Sequence, residues 1–230
     1  MHVTEADDRD QPADADVDII DVEFVAADLS LAGLLRLDIR RPARATRFLA
    51  SILRPGDDPV TVLDYDLPLA VGAFEFRSSG VWVEFCCEEP LDHWTVGLEA
   101  FGLALPPGEL VTPDSYGDRV PIGLDLDLET SNAPDGDSRG FSMEIGVSGE
   151  VLIADQSYEI DATGTRRRSQ QGVPSEGMRC EGGTGVRHQS HLLGELTVAW
   201  PVEDGLPNVE RRGWFGGSRP GWALLDYSAE

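Results

Sequence analysis

From Val17 onward the chain is organised by alternation. Leu29, Leu31, Leu35, Leu37 and Ile39 share one parity, while Arg36, Asp38 and Arg40 take the other. Ile122, Leu124, Leu126 and Leu128 alternate with Asp125, Asp127 and Glu129. The pattern returns at Met143, Ile145 and Val147, and again at Leu196, Val198 and Trp200. Successive side chains of a strand point to opposite faces, so a period of two predicts strands with one buried and one wet face. No window sustains a helical period, and residues 43–53 (ARATRFLASIL) alone are ambiguous. Breakers separate the runs, with Arg-Pro-Gly at 54–56, Glu-Pro at 89–90 and Pro-Pro-Gly at 106–108. Alternating strands punctuated in this way predict an all-β, antiparallel sandwich or barrel.

Three stretches interrupt the alternation. Residues 1–16 (MHVTEADDRDQPADAD) are polar and acidic, and are expected to form a disordered tail. The run SNAPDGDSRG, 131–140, reads as a linker loop between a first β unit of residues 17–130 and a second of residues 141–230. Residues 165–189 carry Gly, Ser, Gln and Arg with little apolar content. Loops of that length in a folded domain are usually functional or disordered.

The most informative local unit is the hairpin from Val81 to Leu105, with Glu89-Pro90-Leu91-Asp92 as its loop. That loop makes paired residues sum to 181 and fixes both faces. One face collects Val81, Val83, Phe85, Cys87, Trp94, Val96, Leu98 and Ala100, and reads as core. The other collects Trp82, Glu84, Cys86, Glu88, His93, Thr95, Glu99 and Phe101, with Glu88 opposite His93 and Trp82 opposite Glu99. In a sandwich this second face is solvated, and Glu88–His93 is a surface pair. In a ligand-holding barrel it would line the lumen, where a desolvated Glu84 or Glu99 would have a raised pKa and serve as acid or base.

Composition narrows the chemistry. Acidic residues outnumber basic ones 42 to 18, for a formal net charge of -24. Such a field repels phosphate backbones and anionic lipid, so neither nucleic acid nor a charged membrane surface is an expected partner. All the basic residues are arginine, which removes Schiff-base lysine chemistry and a P-loop lysine. Cys86, Cys87 and Cys180 make no disulfide framework, and Cys87, in the apolar register, reads as a buried thiol. The start of the chain lacks a signal-peptide pattern and no apolar run approaches the ~20 residues of a membrane span, so the expected location is the cytoplasm.

Cofactor motifs are absent. There is no Walker loop, dinucleotide fingerprint, nucleophile elbow or H-E-x-x-H, so no cofactor is expected. His188 and His191 lie three apart, which places them on opposite faces of an extended segment, and no Cys-x-x-Cys completes a metal set. The triplet Arg166-Arg167-Arg168 is conspicuous in so acidic a chain. It allows two readings: a bidentate holder for a carboxylate or phosphate ligand, or neutralisation of nearby carboxylates.

The segment Gly149–Gly172 (GEVLIADQSYEIDATGTRRRSQQG) resembles the lipocalin-like AttH and hydroxyneurosporene synthase (carotenoid 1,2-hydratase) group. Gly149, Val151, Tyr158, Ile160 and Gly164 fit that group's strand-pair lead-in, and Arg166 and Ser169 fit its Arg-Asp-His-Ser-Trp-Gly type motif. Glu-Pro-Leu-Asp-His-Trp at 89–94 and Gly-Trp at 221–222 resemble two further passages. The resemblance touches about a quarter of the chain. It implies two lipocalin-like β units packed around an apolar pocket, in a group associated with hydrating or cyclising apolar substrates. The motif's Asp, His and Trp positions are held here by Arg167, Arg168 and Gln170, which departs from the group's polar centre.

The expected function is binding of a hydrophobic small molecule of the polyene, steroid or polyketide kind. Trp82, Phe101, Arg166 and Tyr158 are the candidate ligand contacts. The rival is a hydratase, isomerase or cyclase using Glu84, Glu99 and His93 in acid–base roles; a third reading is a non-catalytic interaction module. If Trp82, Glu84, Glu99 and Phe101 line a closed cavity of at least ~300 Å³, the first two readings stand. If those side chains are solvent-exposed, both fail together and the third leads.

Overall fold

A computed structural model describes residues 2–12, 15–70, 74–170, 191–201, 208–216 and 220–224. Within them lie one short helix, α1 (Glu5–Arg9), and the strands β1 (Val17–Ala26), β2 (Ala32–Arg40), β3 (Ala45–Leu53), β4 (Val60–Pro68), β5 (Phe74–Arg77), β6 (Val81–Glu89) and β7 (His93–Ala104). They continue as β8 (Leu110–Val111), β9 (Asp118–Thr130), β10 (Asp135–Asp137), β11 (Gly140–Ile153), β12 (Gln156–Ser169), β13 (His191–Trp200), β14 (Asn208–Gly216) and β15 (Gly221–Leu224). The protein is all-β, and its large sheet is antiparallel throughout.

That sheet closes on itself. Strand β9 pairs along β7, from His93↔Glu129 to Ala104↔Asp118, and by its other edge with β11, from Ile145↔Thr130 to Ile153↔Ile122. From β11 the ladder passes through β12, β1, β2, β3 and β4, and returns to β7 at Val60↔Ala104 and Thr61↔Leu103. Eight strands therefore form a ring. Beyond the short β4–β7 seam, β7 pairs instead with β6, which carries β5.

Alternation sets the contents of the ring. Ile20, Val22 and Phe24 of β1, Leu35 and Leu37 of β2, Val96 and Leu98 of β7, and Leu126 and Leu128 of β9 point inward and are buried. An eight-stranded barrel has an interior just wide enough for side chains or one small ligand.

The outer face of β1–β3 is covered by a second sheet in the order β15-β14-β13-β8. Val25, Leu34, Leu49 and Leu53 meet Leu196, Val198, Trp200, Trp214 and Trp222 there. Beside them is a buried charged layer. Arg36 reaches Glu210 at 3.3 Å and Asp21 at 3.7 Å, while Arg212 holds Glu210 and Glu23. Burial opposes the charge of Arg212, but the carboxylates of Glu210, Glu23 and Asp21 outweigh it and raise its pKa. Double coverage explains residues 43–53. β3 is buried at nearly every position, so its sequence cannot alternate as a half-wet strand does.

Several expectations need correction. Residues 131–140 do not divide two units. They contain β10 and connect β9 to β11, which are paired neighbours in one ring, with Ser131 donating to the Glu144 carbonyl at 2.9 Å. Strands from both sides of that boundary share the barrel, as β1 pairs with β12. The change of sheet falls between β12 and β13. Part of the expected tail is also built into the fold, because α1 lies within residues 1–16 and Asp8 is fully buried. Leu29 sits in the β1–β2 turn at φ 60°, outside the strand whose parity it shares.

Gly149 of β11 has φ +129°, and a Cβ there would lie 2.1 Å from the Asp125 carbonyl oxygen of β9. Side-chain-free positions let barrel strands approach and bend. Gly149→Ala is expected to lower the unfolding free energy by about 1–3 kcal/mol, the usual cost of a strained backbone position. A urea midpoint within error of wild type would contradict this account of the barrel.

Candidate functional site

The arginine triplet lies on β12, and the pleat splits it. Arg167 points out of the barrel and pairs with Glu23 at 3.0 Å. Arg166 and Arg168 share the parity of Ile160 and Ala162 and point inward, beside Val22 and Ile20 of β1. Both are almost wholly buried. A buried guanidinium requires a partner, and each has one. Arg168 forms a fork with Asp18, at 3.0 Å from Nε and 2.8 Å from Nη2. Arg166 donates through Nη1 to Asp8 at 2.7 Å.

Asp8 reaches this position because residues 2–12 run across the end of the barrel. Thr4 caps α1: its hydroxyl accepts from the Asp7 amide, and its own amide donates to the Asp7 carboxylate at 2.8 Å. Arg168 fastens the segment further, donating to the carbonyls of Asp7 at 2.9 Å, Asp8, and Asp10 at 2.8 Å. Among described residues 2–12, Asp8 alone is buried. The segment is therefore held by polar contacts and carries no apolar anchor.

Three donors converge on the Asp8 carboxylate. Besides Arg166, Oδ2 accepts from the Trp94 indole at 2.9 Å and from the Leu91 amide at 2.7 Å. Leu91 occupies the turn between β6 and β7 with φ 64°, an uncommon conformation that presents its N–H to the site. Aromatic faces complete the surroundings. Arg166 lies 4.8 Å from the Trp94 ring, Arg168 lies 5.3 Å from Phe74, and Phe74 and Trp94 are 5.7 Å apart. One arm is left over, since Arg166 Nη2 is buried without a hydrogen-bond partner among the described residues.

Burial alone would push the Asp8 carboxyl above its ordinary value of 3.8. The charge of Arg166 and the hydrogen bonds from Arg166, Leu91 and Trp94 outweigh it, and the pKa is lowered. The Cys87 thiol nearby is pushed up to about 11, by burial first and then by the Asp8 charge. At neutral pH it is a thiol without nucleophilic character.

The remaining candidates lie elsewhere. The hairpin register is as expected from Val81↔Ala100 to Cys87↔Trp94, and the apolar face points inward. The opposite face, bearing Trp82, Glu84, His93, Glu99 and Phe101, lies on the outside of the barrel. Glu99 is exposed, and Phe101 is 57% exposed. Glu84 is half-buried on this outer face, and neither Glu84 nor Glu99 points into the barrel. The Trp82 ring covers Gly97, where a Cβ would lie 2.9 Å from it, and its indole donates to Glu75 at 3.1 Å. A bulge after Cys87 sets Glu89, not Glu88, opposite His93, whose Nε2 instead lies 2.8 Å from Asp127.

Tyr158 sits at the far mouth of the barrel. Its hydroxyl donates to Gln156 and accepts from Arg54, each at 2.5 Å. Eight residues of strand separate it from Arg166, about 26 Å at 3.3 Å per residue. The structure thus brings Arg166 to a polar cluster at one end and leaves Tyr158 at the other. Cys180 and His188 lie outside the described residues, and His191 opens β13 on an exposed position.

Sequence reasoning missed Asp8, Asp18, Trp94 and Arg168 as members of this cluster. For Arg168 a signal existed, because Ile160, Ala162, Gly164, Arg166 and Arg168 share one parity. For Asp8 there was none beyond the acidity of its segment.

Removing one partner of a buried ion pair strands the other charge, so Asp8→Ala is expected to cost about 3–5 kcal/mol in chemical denaturation. The pH dependence has a defined sign. With its folded pKa lowered, Asp8 stabilises the fold above 3.8, and that contribution is lost as pH falls from there through the folded value. Denaturation midpoints between pH 5 and pH 2 should therefore fall more steeply for wild type than for Asp8→Ala. Parallel curves would rule the pairing out as a source of acid sensitivity. No family model matches the chain, and no curated protein or solved structure matches it.

Proposed function

We propose that the barrel binds a hydrophobic small molecule, oriented by the polar cluster at the end closed by residues 2–12. The supporting observation is Arg166, which lies with the Arg168–Asp18 pair among apolar inward-facing side chains and keeps one arm without a hydrogen-bond partner among the described residues. Natural small-molecule sites combine apolar walls with a few convergent polar groups, and the side chains at this end of the barrel have that composition. Affinity would come from apolar surface removed from water at ~25 cal/mol per Å², and orientation from Arg166 and Trp94. This reading keeps the lipocalin-like expectation of a ligand inside a β-barrel, but moves the contacts from Trp82 and Phe101 to the Arg166 end.

An acid–base enzyme on this scaffold finds less support. Asp8 and Asp18, carboxylates buried inside the barrel, are ion-paired, and Glu84 and Glu99 face outward. A non-catalytic interaction module is the second reading. The outward placement of the Trp82/Glu84/Glu99/Phe101 face, with Phe101 exposed, is the outcome that the sequence criterion assigned to it, and the binding reading stands only on the different contacts at the Arg166 end.

Native mass spectrometry of the purified protein, followed by calorimetric titration with an uncharged long-chain alcohol, separates these readings. Retained apolar ligand, or saturable alcohol binding that an Ala100→Trp substitution on the inner wall abolishes, supports the binder. A bare chain mass together with no alcohol binding would sink it and leave the interaction module.

A further inference from the structure

Resting on that binding function, we infer that the natural ligand is an apolar-tailed monocarboxylate, and that Asp8 occupies its carboxylate site in cis. The Arg166 Nη1, the Trp94 indole and the Leu91 amide all belong to the barrel or its hairpin turn, and together form a carboxylate cradle independent of residues 2–12. Asp8 fills it incompletely. Its Oδ1 takes one arm of Arg166, while Nη2 stays buried without a hydrogen-bond partner among the described residues. Arginine and carboxylate pair best through two parallel bonds, and a carboxylate free of the α1 backbone can adopt that fork.

Charge arithmetic selects the head group. Arg168 is already neutralised by Asp18, and its donors are shared with the carbonyls of Asp7, Asp8 and Asp10. Only the single charge of Arg166 remains to be matched. Exchanging Asp8 for a monocarboxylate keeps the site neutral, whereas a phosphate dianion would bury an uncompensated negative charge among Ile20, Val22 and Leu128. The same neighbours favour an apolar tail.

Displacement is feasible because of how residues 2–12 are attached. A five-residue helix has no independent stability in water, and Asp8 is the segment's one buried side chain. A ligand that takes over the cradle therefore competes with one ion pair, the Trp94 and Leu91 hydrogen bonds and a set of carbonyl contacts, not with a packed apolar face.

The test is calorimetric titration of octanoate, octanol and octyl phosphate into full-length wild type, Asp8→Ala, and Asp8→Ala combined with Trp94→Phe. Removing the resident carboxylate should tighten octanoate binding by about tenfold or more, since the competent state is no longer occluded. Octanol affinity should change by much less than octanoate affinity, and octyl phosphate should bind more weakly than octanoate. Trp94→Phe keeps an aromatic ring but removes a donor, and should weaken octanoate by about tenfold and octanol by clearly less. If Asp8→Ala does not fold unaided, Asp8→Asn keeps the shape without the charge, and octanoate should raise the thermal midpoint of either variant. Equal octanoate affinity in wild type and the Asp8 variants, or no octanoate preference over octanol, overturns the inference while leaving apolar binding intact. Failure of every probe overturns both.

Discussion

Two guanidinium groups inside a β-barrel set the terms for the rest of this molecule. Desolvating such a cation costs several kcal/mol unless a carboxylate meets it in good geometry. Arg168 finds Asp18 on the first strand of the barrel, which ties β12 to β1 by side chains as well as by the backbone ladder. Among the described residues Arg166 pairs with no carboxylate on a strand and takes Asp8 from the segment preceding β1. One buried charge is thus satisfied by the scaffold and the other by a strap. That asymmetry is what gives one end of the barrel its chemistry.

A second buried charged layer lies outside the barrel and behaves differently. Asp21, Glu23 and Glu210 face Arg36, Arg167 and Arg212, with Trp200 4.8 Å from Arg36. Three acids meet three bases between two sheets, and every partner is fixed on a strand. This layer registers the second sheet on β1 and β2, while the hydrophobic contact of Leu34, Leu49 and Trp214 supplies the attraction. The Arg166 cluster differs in having a partner that is not held by a sheet.

Much of the architecture could be read from residues alone. Alternation at 122–129 and 143–147 located β9 and β11, and the hairpin arithmetic fixed β6 and β7 to the residue as far as Cys87. It failed at Glu88 because a bulge consumes one residue without a composition signal. β3 was ambiguous for the opposite reason: burial on both faces erases the period on which strand recognition depends. The split at 131–140 failed because a Gly/Asp-rich hairpin connection and a linker share one composition, and only pairing tells them apart. For the site, Arg166 was legible as an unusual cation, but Asp8 was one of 42 acidic residues, and nothing local marks the one that a distant arginine will select.

The strap also has a consequence for how the chain is made. Asp8 and Arg166 are 158 positions apart, and the β1–β12 ladder joins Ile19 to Ser169. During vectorial synthesis, Asp8 and β1 emerge before β12 and must wait for it before either contact can form. Until then β1 presents an open edge and Asp8 remains an ordinary solvated carboxylate. Ring closure and strap docking are therefore late events. The Asp8–Arg166 bond reports that the last structural strand of the barrel has arrived, and a nascent chain stalled before residue 156 would expose the β1 edge to its neighbours.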